Sequence, residues 1–300
     1  MNLLKRKTIR SLIIVFVFLL FLILIINKYY CQNVNHRLQW WLSEIEWDEN
    51  RDNLSGKNVK IAIVDTGVDF THKDLSRVKH SEINIMKKDK DELDHGTAIA
   101  GIIAGYPYGT NGILGIAPDT ELLSINITNT EYVEEDNLIK GINLAIEKNV
   151  DIINISVGVK ENNPELYECI KKAYEKNIII VASAGNYMTD EILYPAAYDE
   201  VLAVGSYDKK NRIISPKNTL SNVIYLPGKN VVTCISEGKY AGVQGTSFST
   251  AILSGIIALV KEDNPNITNE YINKKIKEVS GKQDVKLTVK KLLNVLEVSK

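Results

Sequence analysis

An α/β fold, a parallel β-sheet flanked by helices on both faces, is the architecture this chain predicts, and three observations carry it. β-Branched apolar runs of strand length recur from Val59 onward, amphipathic helical segments separate them, and small residues such as Gly67 and Gly185 stand where strands end. Strands apolar on both faces need cover on both sides, which crossover helices supply. One N-terminal transmembrane helix is expected ahead of this layered domain.

Lys5, Arg6, Lys7 and Arg10 precede an uninterrupted apolar run from Leu12 to Ile26, which with Ile9 and Ser11 approaches bilayer-spanning length. The basic tip favours an N-terminus inside the cytoplasm and the rest of the chain outside it. A cleaved secretory signal is the rival reading. The run ends, however, in Asn27-Lys28-Tyr29-Tyr30-Cys31, with bulky residues where a signal peptidase needs small ones. The reading adopted is an uncleaved anchor over about residues 9–27 within a segment 1–38, followed by one domain over 39–300. Cys31 lacks the preceding small residues that lipid attachment requires.

Trp40, Trp41, Leu42 and Ile45 are helix-spaced, and suit either a membrane interface or core packing. A strand is predicted over 59–64, ending in Asp65-Thr66-Gly67. Helices follow over 96–105, 133–148 and 164–176, alternating with strands over 121–127, 150–157 and 178–182; strands over 201–205 and 231–235 come next. In the segment from 133, Leu138, Ile142, Ala145 and Ile146 form the one-sided stripe of a helix laid on a sheet. The apolar segment 252–260 is too short to span a membrane and predicts a buried core helix. Amphipathic helices over 268–279 and 289–298 close the domain.

Composition excludes several functions. Hydrophobic residues at 45% suit a packed core rather than a disordered chain, and 36 basic against 37 acidic residues leave no field to attract nucleic acid. The 3 cysteines show no metal-ligand spacing, and Cys169 and Cys234 fit as small buried hydrophobes. No cofactor is implied, and a monomer is expected.

Candidate chemistry lies at the predicted strand ends, where parallel α/β sheets bind ligands. Gly245-Thr246-Ser247 opens the buried helix, so Ser247 would face a substrate carbonyl while its N–H and the positive helix end face an oxyanion. An ordinary helix cap is the bland alternative. His95 begins a helix of small residues, Ala98, Ala100, Gly101, Ala104 and Gly105, which can press close to a neighbour. Of the 4 histidines, His36 falls in the spacer, His80 in a charged loop and His72 in a turn where solvation is the default. Asp65 ends the first strand, and Asn186 follows Ala182-Ser183-Ala184-Gly185 at the end of another; each alone is also an ordinary turn former.

In chain order these are Asp, His, Asn and Ser, and the order Asp, His, Ser is that of subtilisin's triad, a known arrangement. The chain resembles the subtilisin-like serine proteases, the subtilases, over about residues 39–298. The resemblance is carried by Ile63-Val64-Asp65-Thr66-Gly67-Val68, Asp94-His95-Gly96-Thr97 and Gly245-Thr246-Ser247. Supporting blocks are Ile153-Asn154-Ile155-Ser156-Val157-Gly158, residues 182–186, Tyr194-Pro195-Ala196 and Leu226-Pro227-Gly228. The resemblance implies Ser247 as nucleophile, His95 as general base, Asp65 as the carboxylate orienting it, and Asn186 in the oxyanion hole. It further implies that Ser156-Val157-Gly158 pairs with extended peptide or protein substrates and that Ser183-Ala184-Gly185 walls the primary specificity pocket.

The sequence also departs from the family. Ala251 replaces a usual proline, with an expected loss of rigidity rather than of chemistry. The loop 106–112, where many subtilases bind calcium, is poor in oxygen ligands, and Asp74 is the matching carboxylate; no strong calcium site is expected. The stretch between Ile26 and Gln39 is too short for the family's folding-assisting propeptide, so the domain is expected to fold unaided or with a partner. Asp190 and Glu191 lie in the segment that contributes to the primary pocket. A carboxylate turned inward there implies cleavage after Arg or Lys, and a solvated pair is the alternative. The combined expectation is an extracytoplasmic processing endopeptidase at the cell membrane, of the kind that matures lantibiotic leaders. A catalytically silent peptide-binding module and a broad degradative protease are the competing readings.

Overall fold

The computed structural model describes residues 39–47, 54–86, 93–109, 112–130, 132–186, 191–215, 223–280 and 289–296. Strands β1 (Lys60–Asp65), β2 (His80–Asn84), β3 (Glu121–Asn126), β4 (Ile152–Ile155), β5 (Ile179–Ser183), β6 (Val201–Tyr207) and β7 (Val223–Pro227) form one sheet. Its order is β2-β3-β1-β4-β5-β6-β7, and every neighbouring pair is parallel. β4, β5 and β6 are buried at every residue, as strands covered on both faces must be. Between β3 and β4, at β1, the strand order reverses; this is the crevice where such sheets bind ligands.

Helix α1 (Trp40–Glu44), α2 (His95–Ala104), α5 (Thr246–Asp263), α6 (Asn269–Ser280) and α7 (Val289–Val295) contribute to the core on one face, and α3 (Glu135–Glu147) and α4 (Pro164–Glu175) to that on the other. α3 buries Leu138, Ile142, Ala145 and Ile146, the stripe its spacing predicts. α4 starts where Asn163 accepts bonds from Glu165 N and Leu166 N, with Pro164 in its first turn. α5 is buried all round through residue 261, and each buried Ile, Leu or Val there contributes roughly 1.5–3 kcal/mol. Ala251 is fully buried within it, and the helix runs through that position without a break.

Several expectations change. β2 and β7 were not predicted, and His80 lies in β2, stacked on Phe70 at 3.8 Å, rather than in a loop. β8 (Lys229–Ile235) pairs antiparallel with the unpredicted β9 (Lys239–Gln244) in a separate hairpin. This hairpin covers α2, where Thr233 Oγ1 donates to Ala98 O at 2.9 Å. Trp40 and Trp41 pack with this hairpin: Trp40 Nε1 donates to Asn230 O at 3.0 Å, and the fully buried Trp41 to Val232 O at 3.4 Å. Cys169 and Cys234 are free and buried, and burial pushes the Cys169 thiol up to about 12. Among the described residues no helix is long and apolar enough to cross a membrane; Leu12–Ile26 and Cys31 lie outside them.

Candidate active site

Asp65 closes β1, fully buried, and its Oδ1 lies 2.7 Å from Nδ1 of His95. Thr66 holds that oxygen in place by donating to it from its N–H at 2.8 Å and from its hydroxyl at 3.1 Å. The same hydroxyl accepts from Gly96 N at 3.0 Å, which locks the start of α2 to the end of β1. Gly96 is required here, because a Cβ would collide with the carbonyl of Gly67. With Nδ1 turned to the carboxylate, the imidazole presents Nε2 outward, and the half-exposed ring lies 5.4 Å from that of Phe248.

Ser247 occupies the first turn of α5, whose leading N–H groups have no partner within the helix. Its Oγ donates to Ser156 O at 3.1 Å, and Ser156 Oγ donates back to Ser247 O at 3.3 Å. Asn154 Nδ2 bonds Ser156 Oγ at 3.0 Å and Ser254 Oγ bonds Asn154 Oδ1 at 2.9 Å. This buried chain of polar groups fixes the end of β4 against the serine helix. Asn186 is oriented by Thr246, whose N–H and hydroxyl both reach its Oδ1, at 2.8 and 3.1 Å. The amide NH₂ is therefore the end left for the cleft. Gly245, at φ 147°, makes room for that amide, since a Cβ there would lie 3.2 Å from Asn186 Oδ1.

His95, Ser156, Val157, Gly158, Ser183, Gly185, Asn186 and Ser247 line one cleft of about 640 Å³. Asp65 and Ala184 are buried behind it. Glu191 is exposed and does not line the cleft, and Asp190 lies outside the described residues. Thr66, Thr246, Asn154 and Ser254 carry positioning roles that the sequence reading left unassigned. Ser254 offered a signal: a hydroxyl in the middle of an apolar helix must find a partner.

Asp74 does not fit a calcium site. Its carboxylate accepts from Tyr108 N and Ile113 N, each at 2.7 Å, and from the Tyr240 hydroxyl at 2.8 Å. Three donors converge on it where a cation would need oxygen ligands. Gln39 closes the same loop by exchanging two bonds with Leu114, at 2.9 and 3.0 Å. Asp74→Ala is expected to lower stability by about 1–3 kcal/mol, because it orphans the buried Ile113 N–H and removes the acceptor from two part-buried donors, while a chelator leaves the wild-type melting temperature unchanged. Thermal unfolding of both proteins with and without chelator checks this.

His72, near Asp74 and Cys234, is fully buried rather than solvated, since the distant hairpin residue Lys239 covers it. Its Nδ1 accepts from Asp74 N at 3.1 Å, which places the proton on Nε2 for Lys239 O at 3.1 Å. Burial holds the imidazole below the usual histidine value, against the opposing pull of the Asp74 carboxylate. The unfolded chain therefore binds the proton more readily. The stability gained from neutral His72 is present above about pH 6.5 and is lost as pH falls toward the lowered folded value. The melting temperature is expected to drop between pH 7 and 5, with a shallower drop in His72→Gln.

A buried carboxylate orienting a histidine that shares a cleft with a serine at a helix N-terminus, on a parallel α/β sheet, is the arrangement of a serine hydrolase of the triad type. Comparison with known proteins gives the family: residues 56–292 match the subtilase family, and the chain belongs to it as a serine endopeptidase. It is 37% identical to the intracellular serine protease of Paenibacillus polymyxa over 72% of this chain and 69% of that one. It is 35% identical to the major intracellular serine protease of Bacillus subtilis (strain 168), over 69% and 70% respectively. Among solved structures, the patellamide maturation protease PatA superposes with a TM-score of 0.71 at 25% identity, covering 81% of this chain and 98% of that one.

Proposed function

We propose that this peptidase is anchored in the cell membrane as a monomer with its catalytic domain outside the cytoplasm, that it processes extended peptide segments, and that Ser247 is its nucleophile. The 2.7 Å pair of Asp65 and His95, at the cleft that Ser247 also lines, is the observation that carries the catalytic assignment. Ser247 Oγ–H turns from Ser156 O toward His95 Nε2 when substrate binds. Oγ adds to the scissile carbonyl while its proton passes to His95. The oxyanion then meets Asn186 Nδ2–H and the Ser247 N–H. The C–N bond breaks as His95 delivers that proton to the departing amine. Water, deprotonated by the same imidazole, then hydrolyses the acyl-enzyme and frees Ser247. Throughout, Asp65 keeps Nδ1–H toward itself. Substrate backbone pairs with Ser156-Val157-Gly158, opposite the wall Ser183-Ala184-Gly185, which favours extended chains.

The anchor rests on the apolar run Leu12–Ile26 and the basic residues before it. The word intracellular in the relatives' names describes proteins whose similarity covers 72% and 69% of this chain and leaves the rest unaddressed. Processing is supported by the likeness to PatA, described as a maturation protease, and the group it suggests is the leader peptidases of lantibiotics. Fractionation of cells expressing the full chain tests placement: the expected result is a carbonate-resistant membrane protein that external protease digests on intact cells. Recovery in the cytoplasmic fraction overturns it. Incubation with a denatured proteome tests processing, where few cut sites are expected and widespread cleavage indicates a degradative enzyme.

A further inference from the structure

We propose that Leu193 restricts the residue immediately before the scissile bond to a small one, glycine, alanine or serine; this rests on the peptidase reading of the cleft. β4 and β5 run in register from Ile152↔Ile179 to Ile155↔Ala182, so Ser156-Val157-Gly158 and Ser183-Ala184-Gly185 leave the sheet side by side as two walls. Residue 193 bridges the far end of the slot between them. Leu193 N donates to Ala184 O at 3.1 Å on one wall, while Tyr194 and Val159 exchange backbone bonds of 2.8 and 2.9 Å on the other.

From that tethered position the Leu193 side chain faces the slot and lines the cleft. It lies against the bare Cα of Gly158: a Cβ built there would stand 2.8 Å from Leu193 Cβ and 3.2 Å from its Cδ1. The volume beside Gly158, which a long substrate side chain would need, is thus filled by leucine carbons. The backbone bonds at 193 and 194 keep the residue from swinging aside. A pocket floored this way offers a methyl or hydroxymethyl group contact and forces a phenyl or alkylammonium group to displace packed atoms. Glu191 lies outside the cleft lining, so that side chain does not support cleavage after Arg or Lys.

The test uses the full chain and peptidyl aryl phosphonates that differ only in the side chain next to phosphorus, alanine-, phenylalanine- or lysine-like. Serine oxygen displaces the aryloxide in each, so inactivation rates report pocket fit. A small fluorophosphonate without a peptide serves as the control for an assembled serine site. The expected result is inactivation at least about tenfold faster by the alanine-like probe, the scale on which apolar pockets discriminate. Leu193→Gly is expected to raise the phenylalanine-like rate relative to the alanine-like rate by about tenfold or more. Leu193→Ala, which demands less of the fold, should move the same way by less. Equal rates, or faster reaction with the phenylalanine- or lysine-like probe, overturn the proposal while fluorophosphonate reactivity leaves the peptidase reading standing. A folded chain that also fails to react with the fluorophosphonate overturns both.

Discussion

His95→Ala is expected to lower kcat on any peptide substrate by about 10⁶, with the melting temperature nearly unchanged; the magnitude is that measured in subtilisin itself, not one obtained from this geometry. The effect is so large because Oγ–H of a serine is a poor nucleophile until a base takes its proton during attack. The half-exposed imidazole fills little of the core, and Asp65 retains both donors from Thr66. Ser247→Ala should cost about as much, and the double variant no more than either alone, since the residues act as a unit. Steady-state kinetics on a fluorogenic peptide, with thermal unfolding as the control, checks this. A loss of only about tenfold would place the base elsewhere.

Replacing Asn186 is expected to reduce kcat by about 10² to 10³ with KM little changed, again on the scale known for subtilisin. The structure adds a complication, because Asn186 Oδ1 also holds the N–H and hydroxyl of Thr246 at the start of the serine helix. Asn186→Ala removes the donor to the oxyanion and the acceptor for Thr246 together. Asn186→Asp keeps an acceptor for Thr246, deletes the donor and adds a negative charge beside the oxyanion. The expected pattern is a large kcat loss in both variants, with a lowered melting temperature in the alanine variant alone. Equal kcat in wild type and Asn186→Asp would remove this side chain from the oxyanion site.

The central strands and long helices were legible in the sequence because their burial is written locally. β1, β4, β5 and β6 are apolar on both faces, and α3 carries a clean stripe. Of the missed strands, β2 and β9 lack such patterns, being largely exposed or half-exposed; β2 is defined by pairing with the distant β3, and β9 by the hairpin it makes with β8. β7 is buried at all but Tyr225, but its run is short and ends in Pro227. His72 shows the same limit in one residue. Thr71-His72-Lys73-Asp74 looks like a solvated turn, and only a hairpin remote in sequence buries it. At the site, the chemistry-bearing side chains were legible as residue types at strand ends and helix starts. Their supports were not, because the Asn154, Ser156 and Ser254 chain joins β4 to a helix far along the sequence. Leu193 likewise shows as an ordinary apolar residue until the two walls it bridges are placed side by side.

The most direct measurement is reaction of the full chain with a small fluorophosphonate, followed by mass spectrometry of the modified peptide. Phosphonylation confined to Ser247, and abolished in both Ser247→Ala and His95→Ala, is the predicted result. A folded wild-type chain that takes no label, or takes it equally after loss of His95, would contradict the assignment of Asp65, His95 and Ser247 as one catalytic unit.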